Sequence, residues 1–137
     1  MHVSDNGDRG GNDVTVMFAG ARKPLERNLH EVWDVELVKR ELRGVSDEKY
    51  AEQLVASAKA DLDTIRRGNI SNWAAHSYSL AKEVAYADLP GWRCGATAST
   101  VVALDARYLA TGRAIVQMQL RDAGVRLAEV LNRAFGP

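Results

Sequence analysis

Two hydrophobic periods divide the chain. Val14, Val16 and Phe18 alternate with Thr15 and Met17, a period of two that predicts a strand. Gly20 ends the alternation and Pro24 follows in a basic turn, so a short hairpin is the largest sheet expected. From Asn28 the spacing changes to three and four. Asn28 is the expected N-cap of a helix from Leu29 to about Leu42, stopped by Gly44. Ser46 is the expected cap of a second, with Asp47 and Glu48 where carboxylates complement the helix dipole. Tyr50, Leu54, Ala58, Leu62 and Ile65 form its apolar stripe, and Arg66, Arg67 and Gly68 close it. A third helix is expected from about Ser71 to Asp88, with Trp73, Tyr78, Leu80, Ala81, Val84 and Ala85 buried and Pro90 ending it. Residues 91–99 read as a loop, followed by a short helix near Val101–Leu109. The last helix, from about Arg113 to Phe135, presents Val116, Leu120, Ala123, Leu127, Val130, Leu131 and Ala134 on one face. Gly124 lies inside it, and an interior glycine costs about 1 kcal/mol relative to alanine, so close packing is expected there. The fold class is mostly α: a helical bundle with one short hairpin near the N-terminus.

Composition narrows the function. A chain of 137 residues with 46% apolar and 26% charged side chains suits one domain with a single core. Eighteen basic side chains balance eighteen acidic ones, which leaves no electrostatic footprint for tight duplex binding. An enzyme whose own metal ions meet the phosphate stays open. The apolar runs are too short to span a bilayer. The single cysteine, Cys94, has no partner for a disulfide within the chain. The opening Met1–Asp8 has no basic segment followed by an apolar one, so no secretory signal is read there.

Three residues carry candidate chemistry: His2, His30 and Asp34. His30 and Asp34 stand four apart on a predicted helix. Residues at that spacing have Cβ atoms about 5–6 Å apart. Both can then reach one ion at about 2.0–2.2 Å, the usual bond length from zinc to imidazole or carboxylate. His2 is the candidate third ligand, which would leave an open position for substrate. On spacing alone, a surface pair is the commoner explanation of His30 and Asp34, and no metal site is read from it.

The order of the motifs adds to this. Met1-His2-Val3 is followed by an acidic loop, by Gly10-Gly11-Asn12, by the alternating strand, and by Asn28-Leu29-His30-Glu31-Val32-Trp33-Asp34. Together they resemble the zinc-dependent single-strand-specific nucleases, which include secreted fungal nucleases and plant bifunctional nucleases. Trp73-Ala74-Ala75-His76-Ser77 is similar to that family's Trp-Ala-x-Glu-Ser, with His76 in place of glutamate. Gly124-Val125-Arg126-Leu127-Ala128 and Leu131-Asn132 are similar to its closing Gly-x-Arg-Leu-Ala and Leu-Asn. The resemblance covers the whole chain and corresponds to the C-terminal half of one nuclease domain.

The resemblance implies a three-zinc fold, with His2, His30 and Asp34 as the protein ligands of one zinc. It implies that Gly11 and Asn12 line a nucleobase pocket, by close backbone approach and amide hydrogen bonds respectively, and that His76 is not a ligand. Trp33 is expected to pack in the core. The implied reaction is phosphodiester hydrolysis of single-stranded DNA or RNA, with removal of 3′-phosphates from nucleotides. The implied setting is secreted or periplasmic. Ligands for the other two zinc ions lie upstream in the family, so the isolated chain is expected to be incomplete, to need the N-terminal half or to self-associate. Two other readings stand beside this one: a related three-zinc phospholipase of the same fold, and a non-catalytic helical remnant with one partial metal site.

Overall fold

The computed structural model describes residues 7–19, 26–92 and 101–136. His2, Cys94, the basic turn at Pro24 and most of the loop 91–99 lie outside the described residues.

The alternating segment forms β1 (Thr15–Phe18), with Val14 and Val16 fully buried. It pairs antiparallel with the next strand, as the expected hairpin does, and is also the centre of a three-stranded sheet. β2 (Glu26–Asn28) pairs with it antiparallel, Val16 opposite Arg27. β3 (Val102–Leu104) pairs on the other side in parallel, Val16 opposite Val102. The short helix expected over Val101–Leu109 is therefore corrected: its first part is this strand. Val102 and Leu104 point into the core, which only a strand of period two permits here.

Helix α1 starts at the expected cap: the Asn28 side chain accepts from the Glu31 backbone N–H at 2.7 Å. It runs through Leu29–Glu31, a π-helical turn at Val32–Glu36, and Leu37–Glu41. The second predicted helix is two: α2 (Asp47–Ala58), capped by Ser46, and α3 (Leu62–Arg66), separated by turns at 59–61. α4 begins one residue earlier than expected, at Ile70. Asn69 and Asn72 exchange side-chain-to-backbone hydrogen bonds in a reciprocal capping pair. It spans Ile70–Leu80 and continues as a second π-helical turn, Ala81–Tyr86. α5 is one helix of 30 residues, Ala106–Phe135, capped by Asp105, whose carboxylate accepts from the Tyr108 N–H at 2.7 Å. No helix among the described residues is long and apolar enough to cross a membrane.

The core gathers where the sheet meets α1, the end of α4 and the start of α5. It holds Val14, Val16, Leu29, Val32, Leu37 and Tyr108, among others. Burying each such aliphatic side chain fully contributes about 1.5–3 kcal/mol. Close helix packing occurs at Gly112, not at Gly124. A Cβ at Gly112 would stand 2.9 Å from Leu37 Cδ1, whereas one at Gly124 would meet nothing within 4 Å.

The expected burial of α4 and α5 holds only near this core. No residue of Ile70–Leu80 is buried, and Tyr78 is exposed. On α5 Val116 is buried, but Leu120, Leu127, Val130, Leu131 and Phe135 are exposed. Between the two helices runs an open apolar groove of about 500 Å³, lined by Trp33, Leu80, Ile115 and Leu120 among others. It continues past Ser77 and Ala123 into a depression of about 340 Å³ beside Ile70 and Leu127.

Candidate metal centre

The loop before β1 is built on three consecutive residues in the left-handed region: Arg9 (φ 55°), Gly10 (φ 70°) and Gly11 (φ 86°). Glycine adopts this conformation without the Cβ clash that other residues meet. The loop closes on the start of α1. The Gly11 carbonyl accepts from both the Val14 and the His30 backbone N–H, each at 3.3 Å, and Leu29 N–H donates to the Val14 carbonyl at 2.9 Å. Asp8 anchors the loop from inside. It is buried, and its Oδ1 accepts from the Gly10 N–H at 3.0 Å.

His30 reaches this loop with one ring nitrogen and Asp34 with the other. Its Nδ1 lies 3.0 Å from the Gly10 carbonyl oxygen, and its Nε2 lies 2.9 Å from Asp34 Oδ2. A carbonyl can only accept, so Nδ1 carries the proton in that contact. In the neutral ring, Nε2 then presents a lone pair to a carboxylate oxygen. Two electron-pair donors this close require a cation, either a proton or a metal ion. The donor set of imidazole nitrogen and carboxylate oxygen suits zinc, and the backbone carbonyl on Nδ1 is the outer-shell support that zinc-binding histidines ordinarily have. The side chains are about one quarter and two fifths exposed respectively, so the pair is open on one side.

The π-helical turn at Val32–Glu36 carries both Trp33 and Asp34. Such turns add a residue to the helical repeat, re-aim the side chains that follow, and recur at functional sites. Trp33 packs against the core as expected, with a polar tether in addition. Its Nε1–H donates to the Tyr108 hydroxyl at 2.9 Å, and that hydroxyl donates to the Ala85 carbonyl at 2.7 Å. The two rings meet edge to face, 6.2 Å apart at 88°. Burial holds the Tyr108 hydroxyl well above the usual tyrosine range, outweighing the opposite effect of its bond to Trp33.

Among the described residues no group of three or more His, Cys, Asp or Glu side chains gathers to hold a metal. His2, the expected third ligand, lies outside them. Gly11 is buried in the loop, while Asn12 is exposed and donates its amide N–H to the Arg9 carbonyl at 2.9 Å. His76 is exposed on α4. Asp8, and Tyr86, whose hydroxyl donates to Asp8 Oδ2 at 2.8 Å, were not singled out from sequence. A hint lay in Asp8, since aspartate two residues before a glycine often bonds its own backbone in a turn. Nothing local marks Tyr86.

Comparison with known proteins places this geometry in context. The family model for S1/P1 nuclease matches residues 1–136. Endonuclease 4 of Arabidopsis thaliana is 28% identical over 149 aligned residues, which cover 98% of this chain and 45% of that protein. Endonuclease 2 of the same plant is 29% identical over 142 residues, covering 99% of this chain and 47% of its own. The chain thus spans about half the length of the curated relatives it matches. A match to the family model over all but the last residue makes this chain a member of the S1/P1 nuclease family.

Proposed function

We propose that this chain carries one zinc site of a hydrolase that cleaves phosphodiester bonds in single-stranded DNA and RNA and removes 3′-phosphates from nucleotides. The observation that supports this reading is the 2.9 Å approach of His30 Nε2 to Asp34 Oδ2, with Nδ1 held on the Gly10 carbonyl. His30 and Asp34 would hold the ion, with His2 as the third ligand. An ion held there would supply positive charge against the phosphate as negative charge develops in cleavage. The chain's own residues do the positioning. The Gly10 carbonyl sets the imidazole tautomer, and Gly11 and Asn12 form the loop against which a nucleobase would rest. The same reading assigns a secreted or periplasmic setting.

The groove between α4 and α5 bears on completeness. Leu127 is 59% and Phe135 83% exposed, and the relatives matched are about twice as long as this chain. Apolar side chains in that number on one helix face mark a surface that another element covers. The occupant we infer is the remainder of a family domain, which would also bring the ligands of the other two zinc ions. The isolated chain should bind an apolar dye and self-associate. Fused behind the leading half of a family member, it should do neither. A monodisperse monomer with a sharp thermal transition would count against this part.

The zinc site is tested by Asp34→Asn, which keeps the side chain's shape and removes its charge. Zinc bound to the metal-stripped, reconstituted protein should fall. Where cleavage of single-stranded DNA is measured, turnover should drop about 100–1,000-fold, the usual effect of removing one electrostatic stabiliser. If Asp34→Asn leaves zinc content and turnover unchanged, the site is wrongly assigned.

A further inference from the structure

We infer that Tyr86 and Asp8 act as positioning residues for His30, through Gly10, and select which nitrogen of its ring faces the ion. This rests on the reading of His30 as a zinc ligand. The Tyr86 hydroxyl donates to Asp8 Oδ2 at 2.8 Å, and both residues are buried. The other oxygen of the same carboxylate accepts from the Gly10 N–H at 3.0 Å. Gly10 in turn presents its carbonyl to His30 Nδ1 at 3.0 Å. The three contacts form one chain from the end of α4 to the start of α1, and they bridge residues 78 positions apart in sequence.

Each link constrains the next. A buried carboxylate is costly unless its oxygens are hydrogen-bonded, so Asp8 holds firmly to whatever donors it has. One of them is the Gly10 N–H, which ties Asp8 to the residue whose carbonyl meets His30. Gly10 sits at φ 70° and Gly11 at φ 86°, a backbone that glycine also leaves readily, since it populates both signs of φ. The loop therefore needs an anchor to keep one orientation. With the Gly10 carbonyl in place, the neutral ring carries its proton on Nδ1 and frees Nε2 as the ligand. With the carbonyl displaced, a neutral imidazole in solution favours the proton on Nε2, which blocks that nitrogen as a ligand.

Tyr86 also belongs to the second π-helical turn, Ala81–Tyr86, whose Ala85 carbonyl accepts from Tyr108. Tyr108 holds Trp33, the residue before Asp34. One irregular turn thus supports both candidate ligands by separate routes: Tyr86 reaches His30 through the loop, and Ala85 reaches Asp34 through Tyr108 and Trp33. The separation of routes supplies an internal control.

The test compares Tyr86→Phe with Tyr108→Phe, each a loss of one hydroxyl from a buried ring. The readouts are the nitrogen-15 chemical shifts of the His30 ring in metal-free protein, taken where the ring is neutral, and zinc affinity by calorimetry. The wild type should show the Nδ1–H tautomer. Tyr86→Phe should populate the Nε2–H tautomer and weaken zinc binding about 10-fold, the lower end for loss of an outer-shell partner. Tyr108→Phe should leave the His30 tautomer unchanged. An Asp8→Asn variant should act as Tyr86→Phe does, since a neutral amide binds the tyrosine hydroxyl and the Gly10 N–H less strongly. Retention of the wild-type tautomer in Tyr86→Phe, an equal disturbance in Tyr108→Phe, or an Nε2–H tautomer in the wild type would each overturn the inference. A tautomer change in a protein that binds no zinc would sustain the relay and refute the metal reading instead.

Discussion

Gly112 and Gly124 occupy the interior of the same helix, yet alanine should affect them in opposite directions. Replacing an interior helical glycine by alanine gains about 1 kcal/mol, because the folded chain no longer has to restrain glycine's backbone freedom. At Gly124 a Cβ meets nothing within 4 Å, so that gain should appear almost undiminished. At Gly112 the new methyl would stand 2.9 Å from Leu37 Cδ1, 3.5 Å from its Cδ2 and 3.7 Å from Trp33 Cη2. Leu37 is fully buried, so its methyl groups have no open space to enter. Forcing one more carbon into a packed core costs about 1–3 kcal/mol. The net effect at Gly112 should run from about neutral to 2 kcal/mol destabilising, and the two variants should differ by about 1–3 kcal/mol. Urea denaturation of the two variants beside wild type measures this directly. Equal stabilisation by both alanines would show that α1 and α5 do not pack closely at Leu37, and the framework that holds Trp33 and Asp34 would have to be redrawn.

Three further outcomes are expected. The raised Tyr108 hydroxyl contributes stability that is fully present below about pH 10, the range in which an unfolded tyrosine ionises. That contribution falls as pH climbs above this, because the unfolded chain releases the proton first. Urea midpoints between pH 8 and about 11 should fall more steeply for wild type than for Tyr108→Phe, and parallel curves would dismiss the effect. Asp122 is buried beside Arg121 Nε at 2.9 Å and Arg126 Nη2 at 3.7 Å. Asp122→Ala should cost about 1–3 kcal/mol in chemical unfolding, and a change within about 0.5 kcal/mol would mark the cluster as surface-like. Asn12→Ala should raise KM or alter base preference at unchanged zinc content, and loss of zinc would instead make Asn12 part of the metal centre.

The elements that could be read from sequence are those whose signals are local. The Asn28 and Ser46 caps stand where expected because capping links a side chain to a backbone N–H three residues on, Glu31 and Lys49 here. The alternation of β1 was legible for the same reason. β3 was not, because three residues carry too little of a period and its parallel pairing joins Val16 to Val102 across the chain. The break between α2 and α3 was hidden because the apolar stripe from Tyr50 to Ile65 keeps helical spacing through it. The importance of Gly112 over Gly124 was hidden because both are helical glycines, and only the third dimension puts Leu37 against one of them.

The site follows the same division. The His30 and Asp34 pairing was visible because four residues along a helix is a local relation, and the Gly10-Gly11 turn was visible as composition. What makes the pair a directed one is neither. The helix alone brings two side chains near each other and leaves open which ring nitrogen Asp34 meets. The answer depends on a carbonyl 20 residues earlier in sequence, on Asp8 beneath it, and on Tyr86, which bonds Asp8 from 78 residues away. The exposed length of α5 obeys the same logic in reverse. Its apolar face has the spacing of a buried helix, and the spacing is correct, but the last apolar side chain on it that is buried is Val116. An apolar period states that a surface is made to be covered. Whether this chain covers it is a question of tertiary structure, and here Leu127, Leu131 and Phe135 remain open.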